Sequence, residues 1–145
     1  PWAGGRGEDV RDGPLADALL AQPMGVAADD ATAWFVDAES SAVRGAALRG
    51  ADRAVRTVVG TGLFEFGDRD GAGDDVRLQH PQGLARLPDG RLLVADTYND
   101  ALKVVDPATR TVTTWRRGLH EPGGVAVAGD VVLVADTLTQ SRICA

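Results

Sequence analysis

Clustered carboxylates and glycines at residues 68–75 are the part of the sequence that most resembles a cation site. Asp68, Asp70 and Asp74 are interspersed with glycine, and carboxylate oxygens on a turning backbone are ligands that Ca²⁺ prefers. An EF-hand loop counted from Asp68 needs an oxygen-bearing side chain at its fifth position and a glutamate at its twelfth. Ala72 and Gln79 stand there instead. The three aspartates are therefore retained only as weak metal candidates, and a solvated turn is the favoured interpretation.

One aspartate ends an apolar run in each of three similar segments, at Asp37, Asp96 and Asp136. Carboxylates repeated around an axis could hold a metal or perform acid–base chemistry. A substrate lacks such symmetry, however, whereas every repeat needs the same turn. We therefore predict that each carboxylate accepts hydrogen bonds from nearby backbone N–H groups.

Basic and polar residues beyond these aspartates are the candidates for contact with a partner. Arg44 and Lys103 each lie seven residues after the aspartate of their segment, and Arg142 has a similar place in the third segment. Tyr98 and Asn99 occupy the polar turn of the second segment. A repeated cation on one face could contact an acidic partner. Pairing with the aspartates of neighbouring repeats is the favoured interpretation for the cations, and a surface pair of this kind would add little stability.

The remaining chemically active residues do not form a recognisable catalytic pattern. His80 and His120 have no partner at a zinc-ligand spacing. The sequence contains no Gly-x-Ser-x-Gly motif, and Gly60-Thr61-Gly62 lacks the rest of a phosphate-binding loop. Cys144 is the sole cysteine, so this chain has no Cys-x-x-Cys pair. We predict no catalytic residue and no cofactor on this chain.

The aspartates belong to a repeat that begins with the pattern Pro-x-Gly-Val/Leu-Ala, at Pro23, Pro81 and Pro122. The aspartate follows each proline at a nearly constant interval. The second copy continues with two more β-rich runs, residues 101–107 and 111–115. Four short strands per unit, repeated at the spacing between the last two prolines, are typical of propeller blades. The glycine two residues after each proline is expected to allow close backbone approach near the axis.

A long connection separates the first two copies, so that Pro23 and Pro81 lie farther apart than Pro81 and Pro122. The triplet Arg11-Asp12-Gly13 returns as Arg69-Asp70-Gly71 at the same spacing as the first two prolines. The connection is therefore expected to belong to the architecture. The sequence predicts an all-β partial β-propeller of about two and a half four-stranded antiparallel blades. The predicted segments are connections at 1–22 and 60–80, and blades at 23–59, 81–117 and 118–145, the last one truncated.

The second repeat carries a family resemblance. Residues 93–103, Leu-Val-Ala-Asp-Thr-Tyr-Asn-Asp-Ala-Leu-Lys, resemble the NHL repeat. Asp100 and Ala101 replace its usual His or Arg, and the third turn, at 137–141, lacks the asparagine. The Asp-Gly connection before Pro81 resembles the NHL proteins in which a thioredoxin-like domain precedes a six-bladed propeller. That resemblance implies a scaffold of six blades beside a redox-type domain that this chain does not contain.

Composition narrows the choice of partner. The formal net charge is −6 and Lys103 is the only lysine, which argues against nucleic acid. The dominance of Arg over Lys indicates a GC-rich, bacterial source. No apolar run approaches the length of a membrane span. We expect a cytoplasmic location and no membrane partner, and we expect both chain ends to be cuts in a longer protein.

Three functional hypotheses follow. The favoured one is a non-catalytic scaffold that binds a protein or small ligand on a propeller face, together with the rest of its own propeller. The alternative is part of a metal-dependent propeller enzyme of the lactonase or lyase type. In the third, any thiol–disulfide activity lies in a thioredoxin-like domain outside this chain.

Overall fold

The computed structural model describes residues 1–137 and 142–145, and its strands form three antiparallel sheets. The first sheet contains β1 (Gly13–Pro14), β2 (Pro23–Ala28), β3 (Thr32–Asp37), β4 (Ala42–Ala47) and β5 (Ala54–Val59). The second contains β6 (Gly71–Ala72), β7 (Gly83–Arg86), β8 (Leu92–Asp96), β9 (Ala101–Asp106) and β10 (Thr111–Arg117). The third contains β11 (Pro122–Ala128), β12 (Val131–Asp136) and β13 (Arg142–Cys144).

Each sheet is a propeller blade in which the strands from the innermost one outward, starting at β2, β7 and β11, pair with their sequence neighbours, so the predicted all-β partial propeller is confirmed. Two short 3₁₀ helices, Gly73–Asp75 and Thr97–Asn99, interrupt the strands. The third blade's turn at 138–141 lies outside the described residues. Within the described residues, no helix has the length and apolar character that crossing a bilayer requires.

The long connections add a fifth strand to the blades that follow them. β1 pairs antiparallel with β5, the outer strand of blade one, through Gly13 opposite Val55. β6 pairs in the same way with β10 of blade two, through Ala72 opposite Thr111. The sequence predicted four strands per blade and missed this addition. Its physical effect is to pair part of the outer edge of the first two sheets, whose backbone groups would otherwise be unpaired there.

The core lies between the blades rather than within one sheet. β8 is buried at all five of its positions, because blades one and three cover its two faces. Leu92 and Val94 pack in the cluster shared with blade one. The alternate residues, Leu93 and Ala95, pack in the cluster shared with blade three. The two-residue side-chain period of a strand thus explains why β8 is a continuous apolar run.

Two tryptophans on the strands differ in burial. Trp34 packs against the core between blades one and two. Trp115 is 53% exposed. A β-bulge in β10 between Thr114 and Arg116 interrupts the regular pairing at this residue.

Close backbone contact between the innermost strands confirms the predicted role of the glycine in the first two repeats. The Gly25 N–H of β2 donates to the carbonyl of Gln82 at 2.9 Å, just before β7. A Cβ on Gly25 would lie 2.6 Å from the Leu84 nitrogen. A Cβ on Gly83 would lie 2.8 Å from the Gly123 carbonyl oxygen. A side chain at either glycine would therefore push two blades apart near the axis.

We expect Gly83→Ala to lower the free energy of unfolding by about 1–3 kcal/mol, because the added methyl group meets backbone that cannot rotate away. Gly62→Ala is the matched control, since the nearest side-chain atom would lie 3.9 Å from its Cβ. Urea unfolding of both variants measures the difference. Equal stability of the two variants would show that the inner strands can separate without cost.

Candidate functional site

The three recurring aspartates each tie the end of the second strand to the entry of the first. Gln79 N–H donates to Asp96 Oδ1 at 2.7 Å, and the other two carboxylates accept from the same place in their blades. The donors are the backbone N–H groups of Ala21, Gln79 and His120. Each donor lies two residues before the proline of its repeat. The predicted structural role is confirmed, although the donors precede the first strand instead of lying in the following turn.

Arg44 on β4 is a buried cation that joins its own blade to its connection. Its side chain is 0% exposed, with Nη1 3.3 Å from Asp37 Oδ2 and Nη2 3.0 Å from Asp12 Oδ1. The guanidinium also donates to the carbonyls of Leu19 at 2.6 Å and Arg11 at 3.0 Å. The guanidinium is thus surrounded by acceptors from three separate segments of the chain.

Lys103 on β9 has the corresponding place in blade two. Its Nζ lies 2.6 Å from Asp68 Oδ1, 3.1 Å from Asp70 Oδ1 and 3.5 Å from Asp96 Oδ2. The predicted ion pairing is correct, but the partners belong to the same blade and its connection, not to a neighbouring blade. Because Lys103 and Arg44 are fully buried, neither presents its charge to a partner on this surface. The expectation of little added stability applied to a surface pair; these charges are buried, so loss of one partner would leave the other unpaired away from water.

The aspartate of each repeated Arg-Asp-Gly triplet binds a threonine on the outer strand of its blade. Asp12 accepts from Thr57 N and Oγ1, both at 2.8 Å. Asp70 accepts from Thr114 N at 2.7 Å and Oγ1 at 2.9 Å. These threonines lie on the outer strands β5 and β10. One aspartate per connection therefore binds both the buried cation and the edge of its blade.

The three metal candidates have protein cations as partners. Asp68 Oδ2 lies 2.6 Å from Arg117 Nη1, Asp70 binds the buried lysine, and Asp74 Oδ1 lies 2.8 Å from Arg110 Nη2. Across residues 1–137 and 142–145, no three His, Cys, Asp or Glu side chains are grouped so that they could hold a metal ion. Salt bridges therefore account for the acidic character of this connection.

Burial raises the pKa of Asp96 to about 6, against the opposing effects of hydrogen bonds from Asn99 and Gln79 and the charge of Lys103. For Lys103, burial lowers the pKa, but the hydrogen bond to Asp68 and the charge of Asp96 outweigh it and raise the value above its usual range. The pKa of Asp68 is lowered, chiefly by its hydrogen bond with Arg117. Asp96 is thus the member of the cluster that takes up a proton in mildly acidic solution.

Two further partner candidates also have structural contacts. The Asn99 amide donates from Nδ2 to the Gly67 carbonyl at 2.7 Å and to Asp96 Oδ2 at 2.8 Å. Arg142 donates from Nη2 to Asp136 Oδ2 at 2.9 Å, and its side chain is half-exposed. Asn99 therefore anchors the connection, while Arg142 continues the aspartate–cation pairing in blade three.

Tyr98, the remaining candidate, lies at an exposed contact between blades one and two. Its ring stacks on His80 with a centroid distance of 4.6 Å and an interplanar angle of 16°. Glu39 Oε2 of blade one lies 4.0 Å from His80 Nδ1. Ser41 Oγ is within 3.1 Å of the backbone nitrogen of His80 and accepts its N–H. The imidazole thus packs on Tyr98, while the Ser41 hydroxyl binds the backbone of His80.

Two phenylalanines lie on the connection that adjoins this contact. Phe64 is 87% exposed and Phe66 57% exposed. The sequence reasoning missed them, although a Phe-x-Phe pair in a polar connection was a visible signal. The first connection has no aromatic residue from 3 to 22, so the pair is not required by the repeat. We call the set Glu39, Phe64, Phe66, His80 and Tyr98 the aromatic junction.

Comparison with known proteins agrees with the geometry of blade two. The NHL repeat model matches residues 78–105. The chain is 37% identical to NHL repeat-containing protein 2 of Homo sapiens over 164 aligned positions, covering 94% of this chain and 22% of that relative. The chain thus contains an NHL repeat and is similar over most of its length to NHL-repeat proteins.

Other relatives of this chain are also much longer than the chain itself. It is 36% identical to the Arabidopsis thaliana Protein SUPPRESSOR OF QUENCHING 1, chloroplastic, over 81% of this chain and 13% of that relative. These relatives come from an animal and a plant, so a bacterial source stays a prediction. So do the blade number and any attached domain.

Solved structures share the fold of the chain. An auxiliary nutrient binding protein from Bacteroides ovatus superposes with a TM-score of 0.70 at 13% identity, covering 84% of this chain and 36% of that one. A luciferin-regenerating enzyme superposes with a TM-score of 0.58 at 15% identity, covering 86% and 41%. At such identities the likeness shows the fold alone.

We expect Lys103→Met to lower the free energy of unfolding by about 3–5 kcal/mol, because it leaves the buried carboxylate of Asp96 without its cation. Lys103→Arg should retain most of the stability, since blade one already places a guanidinium at this position. Removal of the exposed Arg91–Asp89 pair by Arg91→Ala should change little. Chemical denaturation compares the three variants. A Lys103→Met protein as stable as Arg91→Ala would contradict the role assigned to the cation.

Asp96→Asn should change how stability depends on pH. The pKa of Asp96 in the folded chain is about 6, above the value of about 3.9 for an unfolded aspartate. The folded chain therefore binds the extra proton in this window, and the contribution of Asp96 to the free energy of unfolding falls as pH rises from about 4 to about 6. Urea unfolding across this range should show that the variant lacks this fall. Asp89→Asn, at an exposed aspartate with a lowered pKa, should keep it. Parallel pH profiles for wild type and Asp96→Asn would refute the assignment.

Proposed function

We propose that this chain is a non-catalytic binding segment of an NHL propeller, and that its binding surface is the aromatic junction. The observations that carry the proposal are the exposure of Phe64, Phe66 and Tyr98 and the hydrogen bond from Asn99, next to Tyr98, to the Gly67 carbonyl, next to Phe66. Large apolar side chains gathered on a surface mark sites of association. The repeated polar residues, in contrast, are occupied with holding strands and connections together.

The arrangement of polar groups favours binding over catalysis at the junction. Glu39, Ser41 and His80 are residue types used in hydrolytic triads, but Ser41 Oγ receives a backbone N–H and is not paired with the imidazole. A nucleophile needs a base within hydrogen-bond reach. The enzyme alternative would need reactive groups contributed from outside this chain.

We also propose that further blades of the same propeller pack on both sides of the chain. Met24 and Val26 are exposed on blade one, and Ile143 is exposed on blade three. The third repeat's glycine, Gly124, has only Ala135 near its Cβ position, at 3.7 Å, whereas its counterparts Gly25 and Gly83 meet a neighbouring blade. These surfaces support a longer propeller, and we place any redox activity in a thioredoxin-like domain elsewhere in that protein.

Phe64→Ser combined with Phe66→Ser should reduce recovery of bound partners by about tenfold in quantitative pull-downs with the longest available form of the protein. The unfolding midpoint should not change, because both side chains are exposed. Trp115→Ser is the matched control, with a similarly exposed aromatic side chain on the outer strand of the same blade. Unchanged recovery with the double variant, or turnover of lactone or ester substrates by the purified protein, would count against the binding function.

A further inference from the structure

The segments that form the aromatic junction have a charge pattern of their own. They are residues 38–41, 64–67, 79–80 and 97–100, and they contain the three carboxylates of Glu39, Glu65 and Asp100 with no lysine or arginine. The Glu39 and Glu65 side chains are more than half exposed. Arg77, from outside these segments, lies 3.2 Å from Glu65 Oε2. Even with that one pair, the residues of these segments give the surface around the aromatic rings an acidic character.

We propose that the aromatic junction binds a basic peptide segment that carries apolar side chains between its arginines or lysines. This inference rests on the proposed function and specifies its partner. The apolar side chains cover Phe64 and Phe66, and a cationic side chain lies over Tyr98, beside Glu39.

The stacking of His80 and Tyr98 explains where a cation would be held. One face of the Tyr98 ring packs on the imidazole, while about half of the residue, 52%, remains exposed. A guanidinium or ammonium group over an aromatic ring is attracted by the ring's negative face. The Glu39 carboxylate, 4.0 Å from His80 Nδ1, supplies a negative charge beside the same stack. Two independent attractions therefore meet at one place.

The exposed phenylalanines explain why the partner must also be apolar. Two rings that remain this exposed have apolar area that water contacts unfavourably, and a purely charged ligand would not cover them. The connection is held against blade two, because the Asn99 amide donates a hydrogen bond to the Gly67 carbonyl next to Phe66. The rings are thus presented on a backbone that is already ordered, which reduces the entropy lost on binding.

The negative charge of this surface disfavours the anionic ligands that also bind exposed aromatic rings. Single-stranded nucleic acid stacks its bases on such rings, but its phosphates would be repelled by the carboxylates of Glu39, Glu65 and Asp100. An anionic lipid surface is disfavoured for the same reason. A basic peptide is attracted by both features of the surface.

Fluorescence anisotropy with three short labelled peptides tests the proposal on the full chain. The first peptide alternates leucine and arginine, the second replaces each arginine by glutamate, and the third replaces each leucine by serine. We expect the Leu/Arg peptide to bind about tenfold more tightly than either of the others, with an affinity that falls as salt is added. Glu39→Gln and the double variant Phe64→Ser/Phe66→Ser should each weaken it several-fold.

Matched variants separate this site from non-specific attraction to an acidic protein. Glu8→Gln removes an exposed carboxylate from the first connection, and Trp115→Ser removes an exposed aromatic ring from the outer strand. Neither should change the affinity of the Leu/Arg peptide. Equal losses with Glu8→Gln and Glu39→Gln would overturn the proposal, as would the absence of any binding by the Leu/Arg peptide.

The peptide series also distinguishes failure of this inference from failure of the proposed function. If the Leu/Glu peptide bound as tightly as the Leu/Arg peptide and lost affinity in the phenylalanine variant, the junction would bind ligands but the basic chemistry would be wrong. If a peptide bound and the phenylalanine variant left its affinity unchanged, the junction would not be the binding surface and both proposals would fail.

Discussion

A buried carboxylate beside a buried cation is the interaction on which the arrangement of each complete blade depends. Asp37 with Arg44, and Asp96 with Lys103, are withdrawn from water. Removing both charges from solvent costs several kcal/mol per ion unless the remaining donors and acceptors find partners. One carboxylate cannot satisfy an ammonium or guanidinium group alone. The cation therefore requires additional oxygens, and the connection that precedes the blade supplies them.

The two complete blades meet this requirement with different chemistry. Arg44 has a planar fork of donors and uses two backbone carbonyls together with Asp12. Lys103 is a compact charge and uses the carboxylates of Asp68 and Asp70. This difference follows from the shapes of the two cations. Val10 holds in the first connection the place that Asp68 holds in the second, so the two connections carry different acceptors for their different cations.

The features predicted well from the sequence are those set by short-range pattern. Proline with glycine at Pro23 and Pro81 located the inner strands, because their backbone constraints are local. The fifth strand was not predictable in this way, since β1 and β6 are two residues long and have no alternation of apolar residues. Burial of Lys103 was also missed, because lysine is seldom buried without partners and its partners lie far from it in the sequence. The cations and the Arg-Asp-Gly triplets do repeat at a shared spacing in the sequence. That spacing indicates a buried ion pair only once the structure shows that the two segments pack together.

The same network positions the surface that the repeat does not explain. Asn99 bonds at once to Asp96 and to the Gly67 carbonyl, so the buried carboxylate is linked through one amide to the backbone next to Phe66. Tyr98 lies between Asp96 and Asn99 in sequence and stacks on His80 at the entry of blade two. A partner without propeller symmetry must recognise a feature that differs between blades. The aspartates and cations recur from blade to blade, whereas these aromatic side chains do not. The residues that make every blade alike therefore hold in place the few that make blade two different.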